Sequence, residues 1–220
     1  MEPKFSEIES LSLASFKEMD YLAVDQYELP IELMMENAGL QLARLITMSA
    51  NKNSKIQIGI GNGNNGGGGL VAARRLSAWG FEVFLDIPVE ITKELPLKQL
   101  KRALLFGAKK ETIVAPDIWV DGYLGFSQRL PLRGVFLERL QAANTSTALR
   151  ISLDIPMGIS DDLNQPMFNA NQVLTLAAPK DILNHLPAET DIRIADIGIP
   201  HPIYKKFGIP MPSFFEHQIL

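Results

Sequence analysis

The segment from Gly61 to Gly69 reads GNGNNGGGG, six glycines interleaved with three asparagines. Glycine admits positive φ and close backbone approach, and free N–H groups at the start of a following helix attract an anion. Phosphate is the natural guest of such a turn. Asn64 and Asn65 add amide donors and carbonyl acceptors, the latter suited to a sugar hydroxyl or a hard monovalent cation. A glycine run is also common in flexible surface loops, a reading disfavoured here by a strand before it and an amphipathic helix after it. Gly61, Gly63 and Gly66 satisfy the GxGxxG dinucleotide fingerprint, and Asp86 follows Gly66 by 20 residues, where a ribose-binding acid would stand. An NAD-dependent oxidoreductase is therefore a rival reading. The fingerprint accounts neither for the paired asparagines nor for the four successive glycines, and a strand-end acid such as Asp86 more commonly faces water.

Three further strand ends carry polar or constrained residues: Asp121 with Gly125, Phe126 and Ser127; Asp154 with Pro156 and Gly158; and Pro179 with Lys180. In an open parallel sheet these ends converge on one rim, where ligands bind. Asp154 follows the run Ile151-Ser152-Leu153, a position that is costly unless the carboxylate bonds to nearby backbone or to a guest. Lys180 suits a phosphate or an acid, although a lone lysine after proline is more often a solvated charge. His185, His201 and His217 lack acid partners at ligand spacing, so a zinc site is not expected. With no cysteine and no GxSxG elbow, thiol chemistry and a serine hydrolase have no support.

These residues need rigid elements to position them. The hydrophobic share of 46% against 21% charged belongs to a folded chain, and 220 residues predict one domain over 1–220. A net charge of −4 gives no general attraction to nucleic acid. The opening MEPKFSEIES lacks the basic and apolar regions of a signal peptide, and no apolar run approaches a membrane span, so the expected setting is cytoplasmic. Helical spacing predicts helices over residues 10–26, 31–50, 70–79, 95–106 and 135–143. Strands are expected at 55–60, 81–87, 118–124, 149–155, 172–177 and 192–197. Such alternation requires a mostly parallel sheet with helices on both faces, here an α/β Rossmann-like three-layer sandwich with two extra N-terminal helices. The proline-bearing stretch 201–220 is expected to wrap the surface.

The chain resembles the NAD(P)H-hydrate epimerase family, also called the YjeF N-terminal domain family. The resemblance runs from about Leu33 to Pro200. It rests on Leu33-Met34-Met35-Glu36-Asn37-Ala38-Gly39, on the Gly61–Gly67 run with Gly69 to Arg74, on Val120-Asp121 with Gly125-Phe126-Ser127, on Asp154-Ile155-Pro156 with Gly158, and on Ala178-Pro179-Lys180. It implies a homodimer acting on hydrated NADH or NADPH (NADHX or NADPHX), whose R and S forms at the hydrated ring carbon are interconverted. It implies a potassium ion at Asn65 and Asp121. Substrate contacts are implied at Asn64, Asn65, Gly66, Gly67 and Gly68, at Gly125, Phe126 and Ser127, and at Asp154, with Lys180 in the same block; Asp121 and Asp154 are the candidate catalytic acids. Two positions depart from the family pattern. Gly68 stands where an aspartate is usual, and Met157 where a serine usually helps to hold potassium, and a thioether is poorly matched to a hard cation. The expectation is that binding survives and turnover is reduced, a non-catalytic nucleotide-binding homologue being the alternative.

Overall fold

A computed structural model of the protein describes residues 9–210 and Phe215. Six parallel strands, β1 (Lys55–Ile60), β2 (Glu82–Asp86), β3 (Ile118–Gly122), β4 (Leu149–Leu153), β5 (Gln172–Leu176) and β6 (Asp191–Ala195), lie in the order β2-β1-β3-β4-β5-β6. The order reverses direction between β1 and β3, so a crevice opens at the carboxyl ends of that pair. Gly59 pairs with Asp121 across it.

Helices α1 (Leu13–Tyr27), α2 (Ile31–Ser49), α3 (Asn64–Ala78) and α4 (Glu94–Leu105) contribute to the larger core with the inward residues of β1, β2 and β3. Helix α5 (Gly134–Thr145) covers the other face through Leu140 and Ala143, against Trp119, Tyr123 and Phe168. Helices therefore flank both faces, as the alternating pattern predicts. A short helix α6 (His201–Lys206) packs Ile203 and Tyr204 into the larger core. The expected surface wrap thus begins as a helix, and residues 211–214 and 216–220 of that stretch lie outside the described residues.

Strand β1 departs from the simple in-and-out alternation of its sequence. Every residue from Ile56 to Ile60 is buried, because the strand is central and covered on both sides. The polar Gln57 is used internally, its Oε1 accepting from the Ile113 N–H at 2.8 Å and so pinning the crossover that leads to β3.

The largest correction concerns the glycines. Helix α3 begins at Asn64, so Gly66 to Gly69 form its first turns and are buried. A Cβ on Gly66 would lie 2.1 Å from the Gly61 carbonyl oxygen, and one on Gly61 2.0 Å from that of Tyr123. A Cβ on Gly69 would lie 2.9 Å from Ile60 Cδ1. The run lets a helix settle directly onto β1 and the segment after β3, and the part of it open to a guest shrinks to Gly63–Asn65 and Gly68. Glycine is a poor helix former, so tight tertiary packing must hold this turn.

Candidate active site

The switch-point crevice holds a cavity of about 330 Å³, within the range of small-ligand pockets, about 300–1,000 Å³. Helix α3 supplies Asn64, Asn65 and Gly68; the segment after β3 supplies Gly125, Phe126 and Ser127; and Asp154 stands at the end of β4. Of the residues expected from sequence, Gly66, Gly67, Asp121 and Lys180 do not line it. Gly66 and Gly67 pack instead: a Cβ on Gly67 would meet Met35 Cε at 2.4 Å.

Lys180 is completely buried, contrary to the solvated charge usual for such a lysine. Its Nζ lies 3.0 Å from Asp154 Oδ1 and donates to Thr175 Oγ1 and the Leu176 carbonyl, both at 2.9 Å. The ring of Phe16 caps it at 3.7 Å. Burial pushes the Lys180 ammonium below its ordinary range, while Asp154 and Asp20 hold it up. Asp154 has φ of 72°, a left-handed conformation that aspartate tolerates better than most residues. There its Oδ2 accepts from the Phe126 N–H at 3.0 Å. The carboxylate is thus fixed between a buried cation and a backbone amide, with one edge on the cavity.

Asp121 is wholly buried. Its Oδ2 accepts from the Met157 N–H at 2.7 Å and from Ser152 Oγ at 3.1 Å, and its Oδ1 from the Tyr123 N–H at 3.3 Å. Loss of solvation raises its pKa to about 7 in spite of these bonds. No cation forms an ion pair with it among the described residues. Asn65 donates through Nδ2 to the carbonyls of Leu124 (2.8 Å) and Leu153 (3.2 Å), which fixes the amide's orientation. Its Oδ1 is buried without a partner. An orphaned amide oxygen and a buried carboxylate lacking a counter-charge fit a hard monovalent cation. The Met157 side chain turns away into the apolar cluster around Trp119 and Phe168, so it contributes only its backbone N–H to Asp121. Among the described residues, no group of three or more His, Cys, Asp or Glu side chains could hold a metal.

Asp86 is neither a ribose ligand nor a water-facing acid. It is 1% exposed, accepts from Tyr123 Oη at 2.5 Å and from Thr112 Oγ1 at 2.6 Å, and pairs with Arg139 at 2.8 Å. This network holds the Tyr123 ring in the space left by Gly59, where a Cβ would come 2.0 Å from the ring. The oxidoreductase reading thereby loses its ribose-binding acid, one of its two supports.

Sequence reasoning missed the wall formed by α1, which brings Phe16, Lys17, Asp20 and Tyr21 to the cavity, and also missed Lys93 and Gln128. The usable signal was Asp20 standing one turn after Phe16, an acid on a helix whose neighbouring residues Phe16, Met19 and Ala23 are core. Lys93 is drawn in by Asn62, whose Oδ1 accepts from the Thr92 and Lys93 N–H groups at 2.8 and 3.0 Å. In the Glu36-Asn37-Ala38-Gly39 block Ala38 lines the cavity, and the other three residues hold the elements around it. Glu36 binds Arg74 at 2.5 Å and Arg75 at 3.0 Å, Asn37 Nδ2 donates to the Ile197 carbonyl, and Gly39 makes room for Val71.

Residues 31–182 match the family described as YjeF-related protein N-terminus. An NAD(P)H-hydrate epimerase of Rhodopirellula baltica is 35% identical over 211 residues, covering 88% of this chain and 86% of its own. One from Plasmodium knowlesi is 32% identical, covering 83% and 67%. A bifunctional NAD(P)H-hydrate repair enzyme of Thermofilum pendens is 31% identical over 76% of this chain, which spans 35% of that longer protein. The crystal structure of yeast ynu0 superposes with a TM-score of 0.81 at 23% identity, over 93% of this chain and 95% of its own, which establishes the shared fold. With the family match spanning more than half of its length, this chain belongs to the YjeF-related N-terminus family.

Proposed function

We propose that this protein is an NAD(P)H-hydrate epimerase, interconverting the R and S forms of hydrated NADH or NADPH, with residues 1–220 acting as one unit. The observation that carries the reading is the placement of the Asn64–Asn65 turn and the fixed Asp154 carboxylate on one cavity, in a chain whose relatives bear that name over most of its length.

Epimerisation at a carbinolamine carbon needs the hydroxyl to leave with a proton while the ring nitrogen's lone pair forms an iminium; water then returns on the opposite face. Asp154, held by Lys180 and the Phe126 N–H, is suited to offset the transient positive charge on the ring. The first-turn N–H groups of α3 have no side-chain cap and suit the substrate's pyrophosphate. Asn64 suits a ribose hydroxyl, and the segment Gly125–Ser127 closes over the ring. Asn65 Oδ1 and Asp121 would hold potassium, which when bound would supply a fixed positive charge to the site.

A second reading, a binding protein of the same family without turnover, is favoured by Gly68 and by the inward-turned Met157. The homodimer and the cytoplasmic setting belong to the proposal too; among the described residues no helix is long and apolar enough to cross a membrane. Chromatographic separation of the epimers after incubation of one purified form with the protein tests the enzyme. Faster approach to the equilibrium mixture than in protein-free buffer supports it; saturable binding with no acceleration supports the second reading.

A further inference from the structure

The acids of the rim are not equally free to move a proton. Asp154 is held on both sides, its Oδ1 by the Lys180 charge at 3.0 Å without a hydrogen bond and its Oδ2 by the Phe126 N–H. Asp121 and Asp86 are buried behind the wall with their oxygens bonded. Gly68, on the α3 side of the cavity, has no side chain to offer. Asp20 differs from all of these. It projects from α1 into the cavity, one turn beyond the Phe16 that caps Lys180, and forms no hydrogen bond or ion pair with the described residues.

We propose that Asp20 is the catalytic proton donor and acceptor of this cavity, an inference that rests on the epimerase reading above. Its carboxyl gives a proton to the leaving hydroxyl as the carbon–oxygen bond breaks; water forms and the ring nitrogen's lone pair closes the iminium bond. Water then attacks from the opposite face, the iminium electron pair returns to nitrogen, and the proton lost by that water passes through cavity water to the Asp20 carboxylate, which stands on the face the hydroxyl left. Protons and oxygens balance, and no oxidant or reductant is involved.

The surroundings suit this role. Burial, and secondarily the charge of Asp154, raise the Asp20 pKa above the usual carboxylate range, while Lys180 opposes them. The other titratable groups on the cavity are Lys17 and Tyr21 on the same helix, Lys93 before α4 and Tyr123 after β3; on α6, Lys206 lies 3.7 Å from Glu18 on α1. A carboxyl whose protonated form is favoured by burial can act as acid and then as base.

The test measures kcat and KM for epimer interconversion against pH in wild type, Asp20→Asn and Asp20→Glu, subtracting the uncatalysed rate. Expected is a loss in kcat of about 10²-fold or more in Asp20→Asn, the scale of general acid–base catalysis, with KM changed less than about threefold. Wild-type kcat should fall as pH rises past the Asp20 pKa, and this descending limb should vanish in Asp20→Asn and return in Asp20→Glu. Asp20→Asn keeping kcat within about threefold of wild type, or losing activity with the limb still present, overturns the role of Asp20 while leaving the epimerase reading standing. No turnover by wild-type protein overturns both.

Discussion

Replacing Lys180 with methionine removes the only cation paired with Asp154 among the described residues while keeping most of the aliphatic volume. Both partners are buried, at 0% and 3% side-chain exposure. Removing one member of a buried pair leaves an uncompensated charge and costs about 3–5 kcal/mol. Thr175 Oγ1 and the Leu176 carbonyl also lose a donor at 2.9 Å. Relief from burying the ammonium offsets part of that loss, so the total is expected to stay within the same range. For a chain of this size that corresponds to a fall in melting temperature of about 6–20 °C. Urea unfolding followed by circular dichroism at neutral pH measures it. Adding Asp154→Asn, which tolerates the left-handed backbone and removes the stranded charge, should recover stability relative to Lys180→Met alone. A loss below about 1 kcal/mol, or a double variant less stable than the single one, would refute the view that Lys180 anchors the rim through Asp154.

Gly66→Ala forces a Cβ to 2.1 Å from a backbone oxygen, so it is expected to lose about 3 kcal/mol or more, read as a lower urea midpoint, although alanine is the better helix former. In potassium-free buffer the raised Asp121 pKa of about 7 makes folding favour the protonated acid. That contribution is complete below pH 3.8 and is lost as pH rises through 7. Potassium chloride should therefore raise the melting temperature at pH 8 more than choline chloride does, and Asp121→Asn should abolish the difference. Gly68→Asp places a Cβ 3.1 Å from Leu153 Cδ2, a fit that needs a few tenths of an ångström of adjustment. Its stability should change by less than about 1 kcal/mol, and a third carboxyl on the cavity, beside Asp20 and Asp154, should raise kcat at least about tenfold in the epimer assay.

The order of elements was legible because each strand is a short apolar run bounded by glycine, proline or charge, and because parallel strands require crossovers. That Asn64, Asn65, Gly125, Phe126, Ser127 and Asp154 would line one cavity was legible because strand ends meet on one rim. The role of the four glycines was not. Their sequence looks like a loop, and only the closeness of α3 to Gly61, Met35, Ile60 and Leu153 shows that they are helical packing residues. Asp86 was misread for a related reason, and Lys180, though it pairs with an acid as one of its two readings had it, does so buried and not at the surface. A charged residue at a strand end faces water by default, and the partners that bury these two, Arg139, Tyr123 and Asp154, lie far away in sequence. Asp20 escaped notice because α1 lies outside the βα pattern altogether, and its approach to the rim is set by Phe16 meeting Phe126 edge-on at 5.3 Å.

Solvent oxygen-18 exchange during epimer interconversion bears most directly on what this cavity does. If the ring hydroxyl departs and water returns within it, one pure epimer of hydrated NADH in labelled water should acquire at least one solvent oxygen per inversion, at a rate proportional to protein concentration. Inversion that retains the original oxygen, or labelling no faster than in protein-free buffer, would contradict that chemistry.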